Sequence, residues 1–288
     1  MNTATTGLTA GDAPAGRGAS VLPGHYRFGH VLAGEWTKLR TVRSTWWCVV
    51  ATVVAGLGLG AIVSAAEASH WRNAGIIDRA LFDPTSISLT GVDFGQLTVG
   101  VLGVLAVSAE YGTGAIRSSL AAVPRRPMLL AAKATVFAAL ALVVSEVVTF
   151  GSFFLGQALL SGSAPTASLS QPGVLRAVAG GGLYLTVLGI FALGMAAVIR
   201  HTAGAITTFA AILLVLPLVV AAFPASIGHP IGRYLPDTIG GAMTATTSQG
   251  AHEAFLPSFP PWRGFAVLCA YAVGALALGA LTMVRRDP

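Results

Sequence analysis

Charge is scarce in this sequence. Of 288 residues only 10% are charged while 54% are hydrophobic, and the mean hydropathy is +0.75. A soluble domain carries about a quarter charged residues, so a soluble globular class is excluded. Cysteine is nearly absent. Cys48 and Cys269 both fall inside apolar runs, which leaves no disulfide framework and no metal site of cysteine type. No Gly-Lys pair occurs, so the chain has no P-loop with which to cradle a nucleotide. His252-Glu253 begins like a zinc-protease helix, but Leu256 stands where the second histidine belongs. A G-x-S-x-G nucleophile elbow is missing too. The other histidines, His25, His30, His70, His201 and His229, lack metal-ligand spacing among themselves. These absences argue against an enzyme, a metal and a resident cofactor. The net charge of +6 does not indicate nucleic acid, because the arginines sit at the ends of apolar runs and form no basic stripe with interleaved aromatics.

What the sequence has is apolar runs of bilayer-spanning length, about 20 residues each. They predict an all-α, polytopic membrane protein with six transmembrane helices, near 45–66, 90–109, 132–160, 174–199, 202–223 and 262–284. The second is the weakest, since 94–109 alone is short and extending it takes in Asp93. The third is long and is expected to tilt or project. Only Arg200-His201 separates the fourth from the fifth, which predicts a tight helical hairpin. Gly56-x-x-x-Gly60 in the first span permits close helix packing. Among 35 glycines, chance is the expected explanation of that spacing.

Before the first span, residues 1–26 are rich in Gly, Ala, Thr and Pro, without the apolar core of a signal peptide, and read as a disordered tail. Residues 27–44 read as an amphipathic helix lying in the membrane interface. Phe28, Leu32, Trp36, Leu39 and Val42 share a face, Val31 borders it, and Trp36 is expected at headgroup depth. Lys38 and Arg40 lie to the sides. Glu35 falls within the apolar stripe and should have a basic partner or stay protonated. Lys38 is the local candidate, and a base in the stretch Glu110 to Lys133 is the tertiary one.

That stretch is a polar, basic break between the second and third spans, with a coupling loop assigned to 110–131. Gly112 and Gly114 are expected to end the preceding helix, and Thr113 to cap a short new one. Pro124 and Pro127 bar its continuation. Ile116, Leu120 and Val123 form an apolar stripe with Arg117 off it, which predicts a short amphipathic docking helix. Ile116 and Leu120 are expected to fill a groove on a partner, with Arg117 at the rim.

Six spans put both termini on one side. Of the 17 Lys and Arg residues, twelve fall in the tail, the interfacial helix, the Glu110–Lys133 stretch, Arg200 and the C-terminus, and five on the opposite side. The bias predicts cytoplasmic termini and a cytoplasmic docking helix. Residues 224–261 are then an external loop, expected to fold back as a cap. Glu146 lies in the middle of the third span, about 20 Å along the helix from Lys133. An ionisable group at such depth is either a relay or a protonated packing group.

The run Glu35-Trp36-Thr37-Lys38-Leu39-Arg40-Thr41-Val42-Arg43-Ser44-Thr45 resembles the amino-terminal signature of bacterial ABC-2 type transporter permeases of the actinobacterial kind. Glu110-Tyr111-Gly112-Thr113 through Pro124-Arg125-Arg126 to Lys133 resembles the same family's segment between spans two and three, and Tyr234-Leu235-Pro236 its external helix. The likeness extends over 27–288. It implies a permease subunit of an exporter in the bacterial cell membrane. This subunit would pair with a second copy and be driven by a separate ATPase that binds the ATP. It implies that the interfacial helix is the connecting helix. It also implies that Glu110, Gly112, Thr113, Ile116, Arg117, Leu120, Pro124 and Arg126 belong to the ATPase-coupling segment. The alternative is a proton-coupled secondary transporter with Glu146 as its relay.

Overall fold

A computed structural model describes residues 27–123, 125–246 and 258–285. The tail 1–26, Pro124, the His252-Glu253 pair and part of the 224–261 loop therefore lie outside the described residues. Among the described residues the fold is all helical. Six helical segments are long and apolar enough to cross a membrane: Arg43–Asn73, Pro84–Thr113, Arg126–Leu160, Val174–Ile199, Thr202–Ala221 and Pro261–Arg285.

The chain opens with α1 (Phe28–Thr41), and an extended Val42 turns it into α2 (Arg43–His70). Two short helices follow, α3 (Ile76–Leu81) and α4 (Pro84–Leu89). Asp83 caps α4 by accepting from the backbone N–H groups of Thr85 and Ser86. Helix α5 (Gly91–Thr113) follows at once, with Thr90 the single residue between the two. The weak second span is thus a helical pair, α4 and α5, and its outer boundary falls at Pro84. Next come α6 (Ala115–Ala122) and the long α7 (Arg126–Leu160). Pro127 sits in the first turn of α7, where its missing N–H costs nothing.

Helix α8 (Val174–Ile199) ends at Arg200, whose left-handed backbone reverses the chain into α9 (Thr202–Ala210). This is the expected hairpin. A π-helical turn at Ala211–Val215 divides α9 from α10 (Leu216–Ala221), just before Pro217. Helices α11 (Ala225–Gly232) and α12 (Pro236–Thr244) lead on to α13 (Pro261–Arg285).

Helix α8 is the hub. It packs against α5, α7 and α13, while α2 covers the other side of α5 and α7. The core between them is aliphatic with a few aromatics, Phe137, Phe153, Tyr184 and Phe209 among them. The Gly56-x-x-x-Gly60 spacing is not chance. Both glycines are buried where α2 meets α5 and α7. A Cβ on Gly91 would stand 2.0 Å from the carbonyl oxygen of Gly56. Ser152 Oγ donates to that same carbonyl at 3.2 Å.

The two ends of the bundle differ. One end, the α6 end, gathers α1, α6, the α8–α9 turn and the end of α13. Arg126 Nη1 donates to Met283 O at 2.6 Å, and Arg200 Nη2 to Thr282 O at 2.5 Å. Both cations thus meet the C-terminal carbonyls of α13, where the helix dipole favours positive charge. At the α12 end, Arg176 does the same for α12 through Met243 O and Ala245 O. Asp83 Oδ2 also accepts from the Thr246 hydroxyl at 2.6 Å.

Gly91→Ala should therefore destabilise the fold by about 1–3 kcal/mol, because backbone, not a mobile side chain, blocks the new methyl. Gly58→Ala, with nothing within 4 Å of the added carbon, is the control and should not destabilise. Thermal unfolding of the detergent-purified variants measures the difference, and equal melting temperatures would show that the α2–α5 approach is slack.

Candidate functional site

The chain has only two lysines, Lys38 and Lys133, and both enter one cluster at the α6 end. Lys133 Nζ donates to Glu35 Oε2 at 2.6 Å and to Glu110 Oε1 at 2.7 Å. Lys38 Nζ donates to Glu35 Oε1 at 2.7 Å, to Glu110 Oε1 at 3.2 Å and to Ser119 Oγ at 2.9 Å. Two ammonium groups thus face two carboxylates, and the cluster is neutral as a whole. Four elements supply it: α1 gives Glu35 and Lys38, α5 gives Glu110, α6 gives Ser119 and α7 gives Lys133. The Glu35 side chain is 4% exposed, that of Lys133 5% and that of Glu110 14%. At 42% Lys38 is the wet member. Burial works against the charge on Lys38, but the hydrogen bonds and proximity of Glu35 and Glu110 outweigh it and raise its pKa.

Both bases named as partners for Glu35 are therefore its partners, the local one and the tertiary one. The helix face differs from the expected stripe. Val31 and Glu35 are buried, with Val31 against Leu129 of α7, whereas Phe28, Trp36 and Val42 stay exposed. Helix α1 is rotated by about 60° from the wheel centre, enough to turn its charge inward and its aromatics out. Arg40 is exposed, and its carbonyl accepts from Trp46 Nε1, which pins the corner between α1 and α2.

Helix α6 is where it was expected, with corrected ends. Gly112 lies within α5, and Thr113 is its last residue, bonding back to Ala109 O. Gly114 makes the break, at φ +74°, a region glycine enters freely. The largest correction concerns the stripe. Ile116 is 2% exposed and Leu120 is packed against the core, so both face the chain's own bundle. Ala115, Arg117, Ser118, Ala121 and Ala122 are the residues that α6 leaves outside. Arg126 is turned inward onto α13, as described above.

Between α1, α6 and the start of α7 lies a cavity of about 380 Å³, whose lining includes His30, Gly34, Ser118, Ala122 and Leu129 together with Glu35 and Lys38 of the cluster. Gly34 opens it, since an added Cβ there meets nothing within 4 Å.

Glu146 stands apart from the cluster. Its carboxyl lies against Gly182 of α8, where a Cβ would come within 2.5 Å of it. Its Oε2 is buried with no hydrogen-bond partner among the described residues. A second polar set, not foreseen, joins the α12 end to the spans. Tyr184 Oη donates to Gln96 Oε1 at 2.6 Å, and Gln96 Nε2 to Asp237 Oδ1 at 3.3 Å. Burial pushes the Asp237 carboxyl up in pKa, and the Gln96 bond opposes it. The described residues contain no cluster of three or more His, Cys, Asp and Glu able to hold a metal. Comparison with protein-family models and with curated proteins returns no match.

The cluster sets a stability test. Lys133→Met leaves two buried carboxylates with one half-exposed ammonium and should cost about 3–5 kcal/mol. Adding Glu35→Gln removes the stranded charge and should recover part of that loss. Thermal unfolding of the purified variants reads both, and an additive double variant would mean that the two residues do not interact. The raised pKa of Lys38 fixes the sign of the pH effect. Its contribution is complete below the ordinary lysine value of 10.5 and disappears only as pH climbs through the higher folded value.

Proposed function

We propose that this chain is the membrane-spanning permease subunit of an ABC-2 type exporter, driven by a separate ATPase. The single observation that carries the reading is the fixing of α6. This short helix is strung between two spans, and its Ile116 face is sunk in the bundle. Ser119 ties it into a charge cluster shared with α1, α5 and α7. An element held this way passes a push directly to three other helices. Its remaining face, with Arg117, Ser118 and Ala121, is free for a partner. The adjoining cavity at Gly34 suits an apolar side chain from that partner.

Other features support the reading. No nucleotide motif is present in the sequence, so on this reading the energy arrives through contact with a partner. The resemblance of residues 35–45 and 110–133 to the ABC-2 permeases assigns α1 as connecting helix and α6 as coupling helix. The same resemblance implies a homodimer in the bacterial cell membrane, with ATP bound by the partner subunit and no catalysis on this chain. The excess of arginine and lysine on the side of α6 supports a cytoplasmic orientation of that end.

The test is copurification with a P-loop ATPase encoded beside this chain. Arg117→Glu should weaken copurification at low salt, and the difference from the native chain should shrink as salt screens it. Gly34→Trp should fill the cavity and weaken binding at every salt concentration. Arg79→Glu, exposed at the opposite end, should have no effect. If all three variants bind as the native chain does, α6 is not the docking element.

One observation favours a second reading, a proton-coupled secondary transporter: the buried, unpartnered oxygen of Glu146. The two readings separate on Glu146→Gln. The exporter should keep transporting, because the amide preserves the packing against Gly182. A well-expressed but inactive variant would favour the relay.

A further inference from the structure

A groove of about 410 Å³ opens on the side of the bundle between α8, α9 and α13. Met195 and Ile199 form one wall, Tyr271, Gly274 and Leu278 the other, and Thr208 the edge. An added Cβ on Gly274 meets no atom within 4 Å, so the groove is open there. On α13, Gly274, Leu278, Leu281 and Arg285 fall within about 60° of one another around the helix. Arg285 is exposed and stands at the α6 end. Eleven residues separate it from Gly274, about 16 Å along the axis. That is about half of a 30 Å hydrocarbon layer, the depth of one leaflet. On the α9 side, His201 caps the start of the helix that carries Thr208. His201 Nδ1 accepts from Gly204 N, which leaves its Nε2 to donate outward from an exposed ring. The groove is therefore apolar, and its α13 face runs on to the guanidinium of Arg285, at the end of the bundle where the α8–α9 turn presents the imidazole of His201.

We propose that this groove holds an acyl chain of an anionic phospholipid from the leaflet on the α6 side, its headgroup phosphate meeting Arg285 and His201. The proposal rests on the reading of this chain as a membrane protein, and not on the ATPase. Apolar fit alone suits any lipid. The charge at the mouth selects an anionic headgroup, and two donors on separate helices hold a phosphate better than a hydroxyl.

Photo-crosslinking tests it. The full chain is reconstituted in phosphatidylcholine vesicles carrying a trace of diazirine-acyl phosphatidylglycerol or diazirine-acyl phosphatidylcholine, irradiated, and mapped by mass spectrometry. Labelling at Ala270–Leu278 should be about fivefold higher from phosphatidylglycerol, the effect of one basic residue on an anionic headgroup. Arg285→Gln, an exposed change that leaves the groove intact, should bring the two lipids close to equal. Gly274→Phe should abolish labelling from both. Equal labelling of the native chain by the two lipids overturns the proposal. So does an unlabelled groove whose Gly274→Cys variant, lacking Cys48 and Cys269, forms a disulfide-linked pair, since a second copy then covers it. Loss of ATPase copurification leaves the labelling result untouched, so the two readings fail separately.

Discussion

Two carboxylates and two ammonium groups, all but Lys38 taken largely out of water, hold the α6 end of this protein in one arrangement. Neither Glu35 nor Lys133 is tolerable there alone, because an isolated buried charge costs far more than its packing returns. Each is acceptable because the other is present and because Glu110 and Lys38 complete the set. Lysine suits the task. Its compact ammonium directs three donors to three acceptors, and Lys38 uses all three, on Glu35, Glu110 and Ser119. The long stem of Lys38 lets its head reach the wet rim while Glu35 stays buried. This geometry fixes the rotation of α1 about its own axis and the height of α7 against α5. It also fixes the distance of α6 from both. The rest of that end follows from it: Trp36 faces outward, Ile116 inward, and a cavity remains between α1 and α6.

The spans and the short helix could be read from the sequence because each signal is local. Apolar length marks the spans, Gly114 marks a break, and the stripe of Ile116 and Leu120 marks an amphipathic turn. Glu35 was legible for a different reason: a carboxylate in an apolar stripe needs a base or a proton, and few bases lie near enough to supply one. What the stripe of α6 could not say is where its apolar side points. A partner's groove and the chain's own core ask for the same residues, and only the neighbours decide. The rotation of α1 was hidden for the same reason. Gly56 and Gly60 were lost among 35 glycines, since a close approach is a property of two helices and the spacing appears on one. Ser119, Gln96 and Tyr184 carry no pattern in sequence, since their partners lie 81, 141 and 88 residues away. The exception is lysine itself. A residue type used twice in 288 positions, each time beside a span boundary, was a signal available to count.

The second span joins these observations. Its mean hydropathy of 1.6 is the lowest of the six, the others lying between 2.1 and 2.4. Polar residues in it and at its two ends reach out to other elements. Asp83, at its entry, binds Thr246 beyond α12. Gln96 binds Asp237 at the start of α12 and accepts from Tyr184 on α8, and Glu110, at the far end, binds both lysines. About 21 Å of helix separates Gln96 from Glu110. Between them α5 is packed tightly, with Gly103 against the backbone of α8 at Gly189 and Val99, Val104 and Val107 fully buried. A helix that is polar at its ends and rigid between them transmits displacement better than one that slides in lipid. On the exporter reading, α5 is therefore the strut. A push on α6 enters at Glu110 through Ser119 and leaves at Gln96 toward α12. On that reading its mechanical role rests on the side chains that tie it to both ends of the protein.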